Sequence, residues 1–315
     1  MSLITRLSQL FSKPESKPQL GVAIGCSSIN ICYLDEKNKI SYQEMVLELN
    51  STPKLATDAL NKKVVNSLMK LSTEYKFSGN CQIVLPSSHY QLVQVDKPNV
   101  PMNEVVAALK WQVRELVSIA VDDMIVDYFD GPTLAGVNAK VNVVCVSKFF
   151  LKAIVDSINK NALNLSIIST EVFAFVSLVP KQKDAILLVC QQPNEEIVLL
   201  IIKNGVLYFH RRLRGFSQIS QQSQQELAMG TVDNLSLEIQ RSTDYFERHL
   251  KQSPIICIEV IVPMDNEQFL LEKLALNTDI SVRLLALPEP HQGQRKYATA
   301  IGASLLNNLE QVDES

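Results

Sequence analysis

The chain has 315 residues, 46% hydrophobic and 20% charged, with a net charge of −3 at pH 7. That length suits two domains or one bilobed unit, and the slightly acidic balance argues against a nucleic-acid partner, which favours a basic face. Six cysteines without C-x-x-C spacing and four scattered histidines point away from metal and redox chemistry, and apolar runs such as 197–202 fall far short of the roughly 20 residues of a membrane span.

Leu3, Ile4, Leu7, Leu10 and Phe11 recur at helical spacing beside Arg6 and Lys13, with no small-residue cleavage site. Residues 1–19 therefore read as an amphipathic segment with a proline linker (Pro14, Pro18), not as a secretion signal. Two uses stay open: a surface for a membrane or a partner, or a helix folded back on its own domain or a frayed end.

Strands are expected at 21–24, 29–34 and 39–47, joined by the loop Gly25-Cys26-Ser27-Ser28 and a polar turn at 35–38. Helix 54–75 follows, with Leu55, Ala59, Val64, Leu68 and Leu71 on one stripe. Strands 81–85 and 90–96 flank Pro86-Ser87-Ser88. Helix 104–117, with Asn103 as its N-cap, carries the only tryptophan, Trp111, with Leu109 and Leu116 nearby. Such a side chain suits a core anchor and a binding hot spot alike. Strands 125–130 and 141–146, helix 149–160, strand 165–169 and helix 171–178 complete a first half, 20–180, and polar 180–184 is the boundary.

The second half, 181–310, repeats the opening pattern. Strand 185–190, loop 191–196 and strand 197–202 lead through Asn204-Gly205, a strong hairpin turn, into strand 206–213. The Gln- and Ser-rich stretch 218–225 reads as a solvated helix or loop. Helix 231–250, strand 255–262, helix 267–276, strand 280–285 and helix 296–309 follow, and 311–315 is a tail. A repeat this long predicts an α/β fold of two similar halves facing a cleft, each on a mixed sheet.

No nucleophile, zinc-protease, P-loop or dinucleotide motif is present. Asp122-Asp123 and Glu195-Glu196 read as solvated caps. His210-Arg211-Arg212-Leu213-Arg214 is either an anion or partner site or a charged sheet edge that discourages strand addition.

Five strings resemble a known family when taken in order. Gly21-Val22-Ala23-Ile24-Gly25-Cys26-Ser27-Ser28 is similar to a G-I-D-I-S-S-S-S loop, and Val84-Leu85-Pro86 to an A-L-P element. Leu109-Lys110-Trp111-Gln112 through Val126-Asp127-Tyr128 resembles I-E-W-E … N-L-D-F. Ser169-Thr170-Glu171-Val172-Phe173-Ala174 resembles D-V-E-A-F-A, and Leu237-Glu238-Ile239-Gln240-Arg241-Ser242 resembles L-E-I-Q-R-S. Over nearly its whole length the chain thus resembles the PilM family of type IV pilus assembly proteins, within the FtsA/actin-like group, and most of all its MshI branch, which serves the mannose-sensitive haemagglutinin pilus.

The resemblance implies an actin-like (ribonuclease H-like) fold with a small inserted subdomain at about 90–163. It implies a cytoplasmic scaffold, peripheral to the inner membrane, that grips the cytoplasmic tail of a bitopic PilN-like protein and meets other pilus components. The grip would lie between core and insert, with helix 104–117 as one wall and Trp111 and Leu116 as contacts. In actin-like ATPases the two loops of the cleft clasp nucleotide phosphates. Against that pattern, Ala23 replaces an aspartate and Asn30 a lysine. Gln191-Gln192-Pro193-Asn194-Glu195-Glu196 replaces D-I-G-A-S-T, and Val262-Pro263-Met264-Asp265-Asn266 replaces a Gly-rich turn. Glutamates and a proline in a phosphate loop add negative charge and remove a donor. Ser27 and Ser28 alone persist as candidate contacts to ATP and Mg²⁺, so no enzyme and no cofactor is expected. The alternatives are a residual Mg–ATPase or a filament former of the FtsA type.

Overall fold

The computed structural model describes residues 18–47, 56–132, 138–160 and 163–306. The amphipathic segment and the tail expected at 311–315 lie outside the described residues. In chain order the first half holds β1 (Gln19–Ile24), β2 (Ser28–Leu34), β3 (Ile40–Val46), helix Ala56–Thr73 and β4 (Gly79–Leu85). Next come β5 (Tyr90–Asp96), helix Val105–Gln112, β6 (Met124–Asp130) and β7 (Lys140–Ser147). Helix Lys148–Asn159, β8 (Leu163–Thr170) and helix Glu171–Leu178 complete it.

The second half holds β9 (Ile186–Cys190), β10 (Ile197–Lys203), β11 (Val206–Leu213) and helix Val232–Asp244. It continues with β12 (Cys257–Ile261), helix Glu267–Leu276, β13 (Ser281–Leu284) and helix Ala298–Leu305. The two main sheets have matching strand orders, β3-β2-β1-β4-β8 and β11-β10-β9-β12-β13. In each, the first three strands are antiparallel neighbours and the last two run parallel to the first. The expected pair of similar α/β halves is therefore present.

Central strands that are buried on both faces read as unbroken apolar runs. In β1, Leu20, Val22 and Ile24 pack on helices Ala56–Thr73 and Lys148–Asn159. Ala23 faces the opposite way, toward helices Glu171–Leu178 and Ala298–Leu305. In β9, Ile186, Leu188 and Cys190 meet that same helix pair from the other side, while Leu187 and Val189 face helices Val232–Asp244 and Glu267–Leu276. Helices Glu171–Leu178 and Ala298–Leu305 are thus the shared middle layer between the sheets. Gly21 permits this packing, because a Cβ there would lie 2.1 Å from the Ala300 carbonyl oxygen.

The insert is a three-stranded antiparallel sheet, order β5-β7-β6, with helix Val105–Gln112 on one face through Val105, Leu109 and Val113. It ends at Ser147, not near 163. Helix Lys148–Asn159, N-capped by Ser147, packs Phe150, Ile154 and Ile158 into the core of the first half. The helix expected at 104–117 is shorter because a 3₁₀ turn, Met102–Glu104, starts it and the chain leaves helical geometry after Gln112. Asn103 lies within that turn and caps nothing. Helix 231–250 likewise ends its α-helical part at Asp244 and continues as a wide π turn, Tyr245–His249. No helix among the described residues is long and apolar enough to cross a membrane.

Candidate functional site

Two places between the layers have the character of a site. The first is the cleft where the β1–β2 loop meets the β9–β10 loop. Their meeting is direct. The Cys26 backbone N–H donates to Glu195 Oε1 at 2.9 Å, and Cys26 Sγ to the Asn194 carbonyl at 3.2 Å. Asn194 Nδ2 donates to Ser27 Oγ at 2.9 Å, and Gln192 Nε2 to the Ile24 carbonyl at 2.6 Å. Inside the second loop, Gln191 Nε2 donates to the carbonyls of Glu195 and Phe216, and Glu196 accepts from the N–H groups of Gly215 and Phe216.

The expectation of a solvated Glu195-Glu196 pair is corrected here, because Glu195 is only 4% exposed. Burial raises its carboxyl above the usual range, opposed by the Cys26 hydrogen bond. Behind it lies Glu171, also buried, which accepts from the Ser87 N–H at 3.1 Å through Oε2. Burial and the neighbouring Glu195 push Glu171 up to about 8, while Arg212 pulls the other way. Arg212 reaches across the cleft and donates to the Ser87 carbonyl at 3.3 Å. In the basic cluster Arg211 is held by Glu238 at 2.6 Å, and β11 is an edge strand.

A triphosphate with Mg²⁺ needs converging donors and carboxylates free to hold the metal's waters. These loops do not fit that group. The Cys26 N–H is taken by a carboxylate, and Ser27 by Asn194. The Gln192 amide fills the approach to Gly25, where an added Cβ would lie 2.8 Å from Nε2. Ser28 and Asn30 are buried, and Asn30 Nδ2 donates to the Lys296 carbonyl. At the third element Val262 N–H donates to Glu267 Oε1, and Glu267 is gripped by Arg295. Among the described residues no group of three or more His, Cys, Asp or Glu could hold a metal.

The second place is an apolar groove of about 360 Å³ between the insert and the first half. Strand alternation builds one wall. Ile125, Asp127 and Phe129 of β6 share a face with Val144 and Val146 of β7, their cross-strand partners being Ile125↔Val146 and Asp127↔Val144. The other wall is Leu85, Leu151, Ile168, Thr170 and Phe173. Phe129 and Phe173 meet edge to face across the groove, 4.8 Å between centroids, and Ile125 is 42% exposed.

Helix Val105–Gln112 covers the opposite face of the insert sheet and does not line this groove. Trp111 and Leu116 are 61% and 57% exposed and also lie outside it. The Arg114 guanidinium sits 5.7 Å from the Trp111 ring. Trp111 is therefore no core anchor. Reasoning from sequence missed Ile125, Phe129 and Phe173 as groove residues; the alternation of 125–130 was the signal for the first two, and Phe173 stood only within the string 169–174.

Comparison with solved structures places this architecture. A chain of a PilM–PilN type IV pilus biogenesis complex has a TM-score of 0.65 at 14% identity, covering 91% of this chain and 97% of that chain. A Bacteroides thetaiotaomicron protein of actin-like ATPase fold and unknown function has 0.54 at 9%, covering 95% and 98%. The cytoplasmic domain of EpsL, an inner-membrane component of the type II secretion system of Vibrio cholerae, has 0.50 at 13%, covering 84% and 97%. No protein-family model and no curated protein matches the sequence. The fold is the actin-like ATPase fold.

Proposed function

We propose that this chain is a nucleotide-independent scaffold of a type IV pilus assembly machine of the mannose-sensitive haemagglutinin type. It holds the cytoplasmic tail of a bitopic PilN-like protein and is recruited through it to the inner face of the membrane. The observation that carries this reading is the groove between insert and core, mostly apolar on both walls, with Asp127 and Thr170 as polar members, and open at Ile125. A groove of that kind suits an extended peptide with apolar anchors. Each anchor side chain buried there contributes about 1.5–3 kcal/mol. The structural likeness to a PilM–PilN complex chain and to the EpsL cytoplasmic domain supports the same setting. The absence of catalysis in this reading rests on the loop residues that crowd the cleft.

The contacts move accordingly from Trp111 and Leu116 to Ile125, Phe129, Val144 and Phe173. Calorimetric titration of the full chain with a synthetic tail of the neighbouring membrane protein tests this. Ile125→Asp and Phe173→Ala should each weaken binding by about tenfold or more, as loss of one buried anchor predicts. Trp111→Ala should leave affinity unchanged. Absence of binding by the unaltered chain, or sensitivity to Trp111 with none at Ile125, overturns the proposal.

A further inference from the structure

We propose that the cleft carries its own anion: the Glu195 carboxylate fills an anion position formed by the β1–β2 loop and latches the two halves without an added ligand. The proposal rests on the reading above that no nucleotide works in this cleft. Burial disfavours the ionised form of Glu195 and the Cys26 N–H favours it; a carboxylate on a backbone N–H is a charge-assisted contact, stronger than a neutral one and costly to leave unmade. Here donor and acceptor are 169 residues apart in sequence and belong to different halves.

The surrounding contacts aim at the same junction. Asn194–Ser27 and Gln192–Ile24 flank the Glu195–Cys26 bond, so Ile24, Cys26 and Ser27 are all tied to one short turn. Asn194 adopts φ +61°, the left-handed region in which asparagine is favoured, and this turns the loop so that Glu195 follows it into the cleft. Burial of Glu195 excludes the water that would otherwise compete for the Cys26 N–H. A loop pair that would clasp an external anion is thereby closed by an internal one. The ligand class of the vacated position is a small carboxylate or another small anion.

Glu195→Ala in the full chain tests this by removing the carboxylate and leaving the position. Hydrogen exchange at residues 24–28 should speed up by about tenfold or more, as loss of a charge-assisted bond predicts. Acetate at about 0.1 M should slow that exchange and raise the melting temperature, whereas chloride at equal ionic strength should not. The unaltered chain should show no such preference. Should Glu195→Ala fail to fold, Asn194→Ala, which removes the side-chain contacts to Ser27 and Gln221 and the residue that favours this left-handed turn, should still speed exchange at 24–28 several-fold. Unchanged exchange in the variants, or equal effects of acetate and chloride, overturns the latch. Tail affinity is measured in parallel. The groove is built from the first half alone, so the latch and the tail reading fail separately.

Discussion

Gly302 and Ala174 are in direct backbone contact: a Cβ placed on Gly302 would lie 2.0 Å from the Ala174 carbonyl oxygen. The contact joins the two helices of the middle layer, and Ser177 Oγ strengthens it by donating to the Gly302 carbonyl at 2.9 Å. Ala174 and Gly302 are both fully within the core. Gly302→Val should therefore force the helices apart and destabilise the chain by about 1–3 kcal/mol, the usual cost of overpacking. Urea denaturation measures it, and a midpoint equal to that of the unaltered chain would refute the tight crossing.

Arg295 holds the end of the second sheet. Its guanidinium meets Glu267 Oε2 at 2.5 Å and Oε1 at 2.7 Å, and donates to the carbonyls of Leu285 and Val260 at 2.7 and 2.9 Å. Removing one partner of a largely buried pair costs about 3–5 kcal/mol, because the other charge is left stranded. Arg295→Ala should show a loss of that size. Glu267→Gln in the same background should cost less than it does alone, and additive losses would exclude the coupling.

The cleft residues predict an absence of nucleotide effects. A ligand that binds the folded state raises its melting temperature once its concentration exceeds the dissociation constant. Mg–ATP at about 1 mM, a level that reveals even weak sites, should leave the melting temperature unchanged. Micromolar affinity by calorimetry, or turnover above a buffer blank, contradicts the proposal.

Stability should pass through a maximum between about pH 6 and 7, because buried acids and buried histidines push in opposite directions. Burial holds His89 and His210 down to about 4 from 6.5, so each takes up a proton on unfolding in that window. Stability is therefore lost as pH falls from 6.5 toward 4. Glu171 is pushed up from 4.5 to about 8 and keeps its proton in the folded state, where an unfolded glutamate loses it. Its contribution makes stability fall as pH rises from 4.5 toward 8, and Glu195, also raised, acts in the same direction. Glu171→Gln should flatten the alkaline side and raise the melting temperature at pH 8 more than at pH 6. A variant profile parallel to that of the unaltered chain rules this out.

Much of the fold was legible because its central strands are dense apolar runs bounded by hairpin turns. The strands expected at 197–202 and 206–213 correspond to β10 and β11, and helix 171–178 has its expected ends. The site was far less legible. Adjacent glutamates on a turn normally face water. What buries Glu195 is a donor 169 positions away, which no local pattern reveals. Trp111 drew attention through its size, yet the stripe that packs is Val105, Leu109 and Val113, and this leaves Trp111 outside. Ile125, Asp127 and Phe129 alternate with buried Val126 as any half-exposed strand would. Only the core wall opposite turns that face into a groove.

The two main sheets share one strand order, but the step from β4 to β8 passes through an extra three-stranded sheet, whereas the step from β12 to β13 uses helix Glu267–Leu276 alone. The near-twofold relation between the halves is broken there. Among the described residues the corresponding edge of the second half carries no inserted sheet, so on the proposed reading each chain seats one tail. On that reading, avidity toward a cluster of tails comes from the number of chains side by side, and stoichiometry follows copy number.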